Sequence, residues 1–197
     1  VELLKKLISE QVQIYRRTNV VKSEKFSEII QGVMNRYLNG MLTNEEVIEE
    51  LLKMAKQIRE AHEAGDELGL SEDELAFYDA LTKPQAIKDF YKNDELIAIT
   101  KELTDALRKN RSIDWKKRDS ARAKMRMMIK RLLKNHKYPP EGMDDAVATV
   151  MLQCELWTDN NDMDRRVVSY AEAFNKKSQD LQMVAEEPAP YGTKKED

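Results

Sequence analysis

The sequence predicts an all-α protein, a multi-helix bundle of about seven to eight helices with little or no sheet, from three observations. Glycine and proline number only 6 and 5 in 197 residues, well under ordinary usage, so the chain has few turns. Apolar residues recur at three- and four-residue spacing along most of its length, and no segment sustains the alternation of a half-buried strand. Twice a hydroxyl residue stands three positions ahead of a glutamate before an apolar run, the local signature of a helix start.

The elements follow in order. Leu4, Leu7, Ile8 and Val12 place a first helix over Glu2 to Thr18. Ser23 is the expected N-cap of a second, whose face carries Phe26, Ile29, Ile30, Val33, Met34, Tyr37 and Leu38 and which stops at Gly40. Thr43 and Glu46 open a third, striped by Val47, Ile48, Leu51, Leu52, Ala55, Ile58 and His62 and ended by Gly65. Ser71 and Glu74 open a fourth through Leu75, Tyr78 and Leu81, which Pro84 cuts off. A short turn with Phe90 and Tyr91 precedes a fifth helix over Asp94 to Lys109. The sixth starts near Asp114 and is stopped by Pro139 and Pro140. A seventh spans Glu141 to Trp157 on Val147, Val150, Met151, Cys154 and Trp157, and Asp159–Asp164 reads as a polar turn. An eighth, weaker helix takes in Val167, Val168, Ala171 and Phe174. The helical domain thus covers 1–184, and residues 185–197 read as a disordered acidic tail. The start at Val1 suggests a fragment of a longer protein.

Composition excludes several classes. No apolar run approaches the roughly 20 residues that span a bilayer, so no membrane role is expected. A single cysteine, Cys154, allows no internal disulfide and fits a reducing, cytoplasmic setting. The six glycines form neither GxxxxGK[ST] nor GxGxxG, so this chain is not expected to bind or hydrolyse ATP. A calcium loop beginning at Asn160, with Asp162 and Asp164, fails because Arg165 takes the turn-glycine position and Ala171 the final ligand position. His62 and His136 lack metal-spaced companions and read as structural, Cys154 as a buried thiol, and Glu45/Glu49 and Glu46/Glu50 as a solvated helix start. No catalytic residue, metal ligand or cofactor site is expected.

One feature stands out electrostatically. Arg108 to Lys137 holds 13 Lys/Arg and two acids, a local charge of +11, while the rest carries 20 Lys/Arg and 34 Asp/Glu, or −14. On a helical wheel Met125, Met128, Ile129, Leu132 and His136 lie within about 80° of Ala121, and Arg126, Lys130, Arg131, Lys134 and Lys137 occupy the opposite half. Arg111, Lys116, Lys117 and Arg118 extend the charge at the helix start. These nine are the candidate DNA- or partner-binding residues. The same cations also suit a solvated face balanced by the acidic remainder, and both readings stand. Met127 points into this face, which favours a covered surface. Trp115 reads as a core anchor.

Two blocks, AKQIREAHEAGDELGLSEDELAFYDAL at 55–81 and IDWKKRDSARAKMRMMIKRLLKNHKYPP at 113–140, with NEEVIEELLKM ahead of them, resemble the C-terminal helical domain of type I restriction enzyme R subunits. The likeness covers Ser27 to Pro140; residues 82–93 and those after Pro140 carry none. The resemblance implies a parent that is an ATP- and Mg-using double-stranded DNA translocase and site-specific endonuclease. None of that parent's catalytic motifs is in this chain. It implies a helical module docking the motor onto the methyltransferase and specificity subunits. The other reading is a sequence-independent duplex-binding element that guides translocated DNA by phosphate contacts. A third is a domain that only stabilises its parent.

Overall fold

The computed structural model describes residues 1–112 and 114–160, which are α-helical with no strand among them. Helix α1 is Glu2–Thr18 and α2 is Val20–Leu38. They meet at one extended residue, Asn19, whose side chain accepts from the Lys22 N–H at 3.1 Å. Asn19, and not Ser23, is therefore the cap, and Ser23 lies inside the helix. Helix α3, Asn44–Leu68, opens on the Thr43/Glu46 capping box and runs on through Gly65. A β-carbon at position 65 would stand 3.2 Å from both the Leu70 carbonyl oxygen and a Leu75 methyl, so Gly65 serves close packing. The turn is made instead by Gly69 at φ 65°, a conformation most side chains resist.

Helix α4, Glu72–Leu81, carries the second capping box, Ser71 with Glu74. A short helix α5, Gln85–Phe90, takes the place of the expected turn after Pro84. Helix α6 is Asn93–Asn110. A 3-10 turn, Trp115–Lys117, then delays helix α7 to Asp119–Asn135. The delay has a visible cause: the Trp115 ring is buried and its Nε1 donates to Thr158 Oγ1 at 3.0 Å, which places it in the core as read from sequence. Residues 140–160 form a last helical stretch, α8, with Pro140 in its first turn, where a missing N–H costs nothing. Asp159 and Asn160 are helical, not part of a polar turn. The rest of that turn, the calcium-like loop, the helix around Val167–Phe174, the reach of the domain to 184 and the acidic tail lie outside the described residues. No helix among those described is long and apolar enough to cross a membrane.

Within the compact unit Val1–Asp159, the buried side chains fall into two cores. The first joins α1–α3 through Ile8, Val12, Tyr15, Phe26, Leu51 and Met54. The buried stripe of α3 is Val47, Leu51, Met54 and Ile58, at steps of four, three and four; Ile48 and Leu52, expected inward, sit one position round and are exposed. The second core holds α4, α6, α7 and α8 around Phe77, Leu103, Leu107, Trp115, Ile129 and Leu133.

The junction of the cores is polar and fully paired. Gln153, 2% exposed on α8, donates to the Thr18 carbonyl at 2.9 Å and accepts from the Val20 N–H at 2.9 Å. Asn19 donates to Asp79 at 2.8 Å, and Lys22 donates to the Ala61 carbonyl at 2.8 Å, with its Nζ 3.5 Å from Asp79. Burial pushes the Lys22 pKa below its ordinary value, against the pull of Asp79. Among the described residues no buried side-chain N or O lacks a partner. Gln153→Leu keeps the volume but leaves one donor and one acceptor of the elbow unpaired, at roughly 1–3 kcal/mol each. Urea unfolding should therefore show a loss of about 2–6 kcal/mol; a loss under about 0.5 kcal/mol, the scatter of ordinary surface changes, would mean water replaces the clasp freely.

Candidate functional site

Helix α7 buries Met125, Ile129, Leu132 and Leu133. Its inward arc is thus rotated toward Leu133 from the arc expected around Ala121, and Met128 and His136 sit half-buried at its edge. His136 is tied to α6 and to Tyr91: its Nε2 lies 2.6 Å from Glu102 Oε2, and its carbonyl accepts from the Tyr91 hydroxyl at 2.7 Å.

The structure divides the nine cations. Lys116 pairs with Asp159 of α8, and Lys130 with Asp144 of α8 at 3.0 Å. Arg122, not among the nine, pairs with Glu155 on the same helix. The Arg111 guanidinium stacks over the Trp157 ring, 4.2 Å from its centre. Lys117 lies 3.7 Å from Asp114, both well exposed. These contacts give Arg111, Lys116 and Lys130 partners within the bundle, the Lys130–Asp144 pair lying at the surface. Arg118, Arg126, Arg131, Lys134 and Lys137 are exposed and have no acid within ion-pair distance among the described residues. Lys124 joins them, and the sequence reading left it out. Its wheel angle, near 300° from Ala121, was the available signal. Met127 is 61% exposed in the middle of this face.

The other candidates have partners within the bundle. The His62 ring stacks on Tyr15, centre to centre 5.1 Å. Glu46 completes the capping box, and its hydrogen bonds from Thr43 hold its carboxyl below the usual range. Glu50 lies 3.9 Å from Arg36. Among the described residues no group of three His, Cys, Asp or Glu is placed to hold a metal ion.

A second surface went unread. Leu3, Leu7 and Ile14 of α1 are 72%, 51% and 45% exposed, although Leu7 was expected inward. All three lie within about 40° on the wheel, on the side away from Ile8, Val12 and Tyr15. α1 is therefore apolar on two faces, whereas a surface helix of a finished domain needs one. Leu38, Met41, Ile48 and Leu52 are exposed nearby in sequence. Of ten exposed large apolar side chains among the described residues, seven fall on residues 3–52. The signal was a surplus of apolar residues over a single stripe.

Comparison with known proteins fits these features to a group. The family described as "Type I restriction enzyme HindI endonuclease subunit-like, C-terminal" matches residues 1–160. The type I restriction enzyme HindI endonuclease subunit of Haemophilus influenzae is 34% identical over 155 residues, covering 79% of this chain and 15% of that protein. The putative type I restriction enzyme MjaIXP endonuclease subunit of Methanocaldococcus jannaschii is 37% identical over 135 residues, covering 67% of this chain and 13% of that protein. The chain thus spans about a seventh of the length of these relatives. No solved structure matches it.

The one thiol is held protonated by its surroundings. Cys154 is fully buried, and burial pushes its thiol from 9.0 up to about 12. Burial likewise raises the Tyr15 and Tyr138 phenols from 10.0 to about 12. In each case the folded chain keeps its proton to higher pH than the unfolded chain, so the stabilisation is full below the ordinary value and is lost as pH climbs toward 12. Lys22, depressed from 10.5, works in the opposite sense over its own window. Stability to urea should begin to fall above pH 9.0, and Cys154→Ala should move that onset to near 10.0. An onset that does not move would show the thiol to be solvated.

Proposed function

We propose that this chain, which belongs to the C-terminal family of type I restriction enzyme endonuclease subunits like that of HindI, is the helical assembly module of such a subunit, docking it onto the methyltransferase and specificity subunits of its complex. The observation that carries the reading is the double apolar character of α1. One face closes the first core, and the other holds Leu3, Leu7 and Ile14 in a single line with nothing over them among the described residues. Burying a leucine or isoleucine fully is worth about 1.5–3 kcal/mol, so a line of three supplies a useful share of an association energy. The endonuclease chemistry in the relatives' names belongs, on this reading, to parts of the subunit beyond this chain. The module needs only stiffness and a face.

The test uses the full endonuclease subunit. Leu3→Glu, Leu7→Glu and Ile14→Glu, introduced together, should weaken its sedimenting complex with the methyltransferase and specificity subunits at least tenfold, about 1.4 kcal/mol. Helical circular dichroism should be unchanged, and Leu152→Glu on α8 should leave the complex intact. Unchanged association of the triple variant overturns the reading. So does a drop in the full subunit's own melting temperature that this chain alone does not show, because the face would then be covered from within the subunit.

A further inference from the structure

Helix α7 turns one flank to α8 and leaves the other bare. On the inner flank Lys116, Arg122 and Lys130 are held by Asp159, Glu155 and Asp144. Two of these pairs, from Arg122 and Lys130, lie on α7 itself and with the buried Met125, Ile129 and Leu133 set its rotation about its axis, while Lys116 belongs to the 3-10 turn just ahead of it. What that rotation presents to solvent is Lys124, Met127, Arg131 and Lys134, at steps of three, four and three residues and so in one line rising about 15 Å. Arg118, Arg126 and Lys137 flank the line, and Asp119 is the only acid in the helix.

A solvated face ordinarily interleaves acids with its bases, since like charges at three- and four-residue spacing destabilise a helix by a few tenths of a kcal/mol per pair. Among the described residues the acids that reach this region lie on the inner flank. The outer line is held together against its own repulsion by the packing beneath it, and a polyanion laid along it would relieve that repulsion. The chemistry of the line selects which kind. Protein interfaces deplete charge at their centres and anchor on aromatic side chains, and this line has no aromatic and a single apolar member, Met127. Interfaces with nucleic acid are polar and strongly positive. The line also has no groove or insertion that would carry a side chain to a base edge.

We propose that the outward line of α7, Lys124, Arg131 and Lys134 with Arg118, Arg126 and Lys137 at its margins, binds the phosphate backbone of duplex DNA without reading its sequence. The proposal is independent of the docking face, which lies on another helix. The remainder of the chain is acidic, −14 by residue count, so the basic stretch is where the protein's charge favours a duplex.

The experiment is fluorescence anisotropy of the 197-residue chain with duplexes of two unrelated sequences over a salt series. Equal binding of both duplexes is expected, with log K falling against log salt by roughly 0.9 for each phosphate contact. Lys124→Gln, Arg131→Gln and Lys134→Gln together should flatten that slope by roughly 2–3 and weaken binding at low salt at least tenfold. Lys53→Gln with Lys56→Gln on α3, an ordinary loss of charge elsewhere, should change the slope little. No binding at low salt overturns the proposal. So does an unchanged slope in the triple variant, or displacement of the duplex by poly-glutamate at equal charge concentration, which would assign the line to an acidic protein.

Discussion

The one-residue elbow between α1 and α2 is the constraint from which the rest of the arrangement follows. A chain that reverses between two long helices through a single extended residue leaves peptide groups of both helix ends unbonded. Those groups sit between two apolar cores, where leaving them bare costs more than the bonds themselves are worth. Gln153 is the one side chain that answers both, donating to Thr18 and accepting from Val20. Asn19 and Lys22 spend their remaining capacity on Asp79 and the Ala61 carbonyl, which ties the same elbow to α3 and α4. Val21 and Leu68 also pack on the second core, so the register of the two cores is set by these apolar contacts together with the hydrogen bonds of the elbow.

That geometry reaches the cationic helix. Gln153 and Glu155 stand two residues apart on α8; one grips the elbow and the other grips Arg122 of α7. Asp144 holds α7 at a second point along the same helix, and Asp159 holds the 3-10 turn that leads into it. α8 is therefore the common rail against which both the three-helix layer and the basic helix are aligned. The apolar face of α1 and the cationic face of α7 are displayed at a fixed mutual setting, although no residue connects them directly.

What the sequence disclosed was local. The capping boxes at Thr43 and Ser71 were legible because cap and helix lie within four residues, and both formed as read. The all-α character and the amphipathic nature of α7 were legible from periodicity. Misreadings arose wherever a distant partner decided. Asn19 outcompeted Ser23 as cap because the chain turns there to meet Asp79 and Gln153. Gly65 continued its helix because Leu70 and Leu75 press against it from the next element. Three of the nine candidate cations have partners 14 to 46 positions away in sequence, Asp144, Asp159 and Trp157. No wheel shows that. Leu7 was read in one apolar recurrence with Leu4, Ile8 and Val12, and the protein has two apolar faces on that helix.

The placement of the tryptophans has a practical corollary. The chain has two, Trp115 and Trp157, and both belong to the second core, while the first core holds tyrosine and phenylalanine only. Intrinsic emission excited at the indole band therefore watches one half of the molecule and is blind to the other. Were the three-helix layer to loosen by itself, the dye-free optical signal most laboratories rely on would register an intact protein.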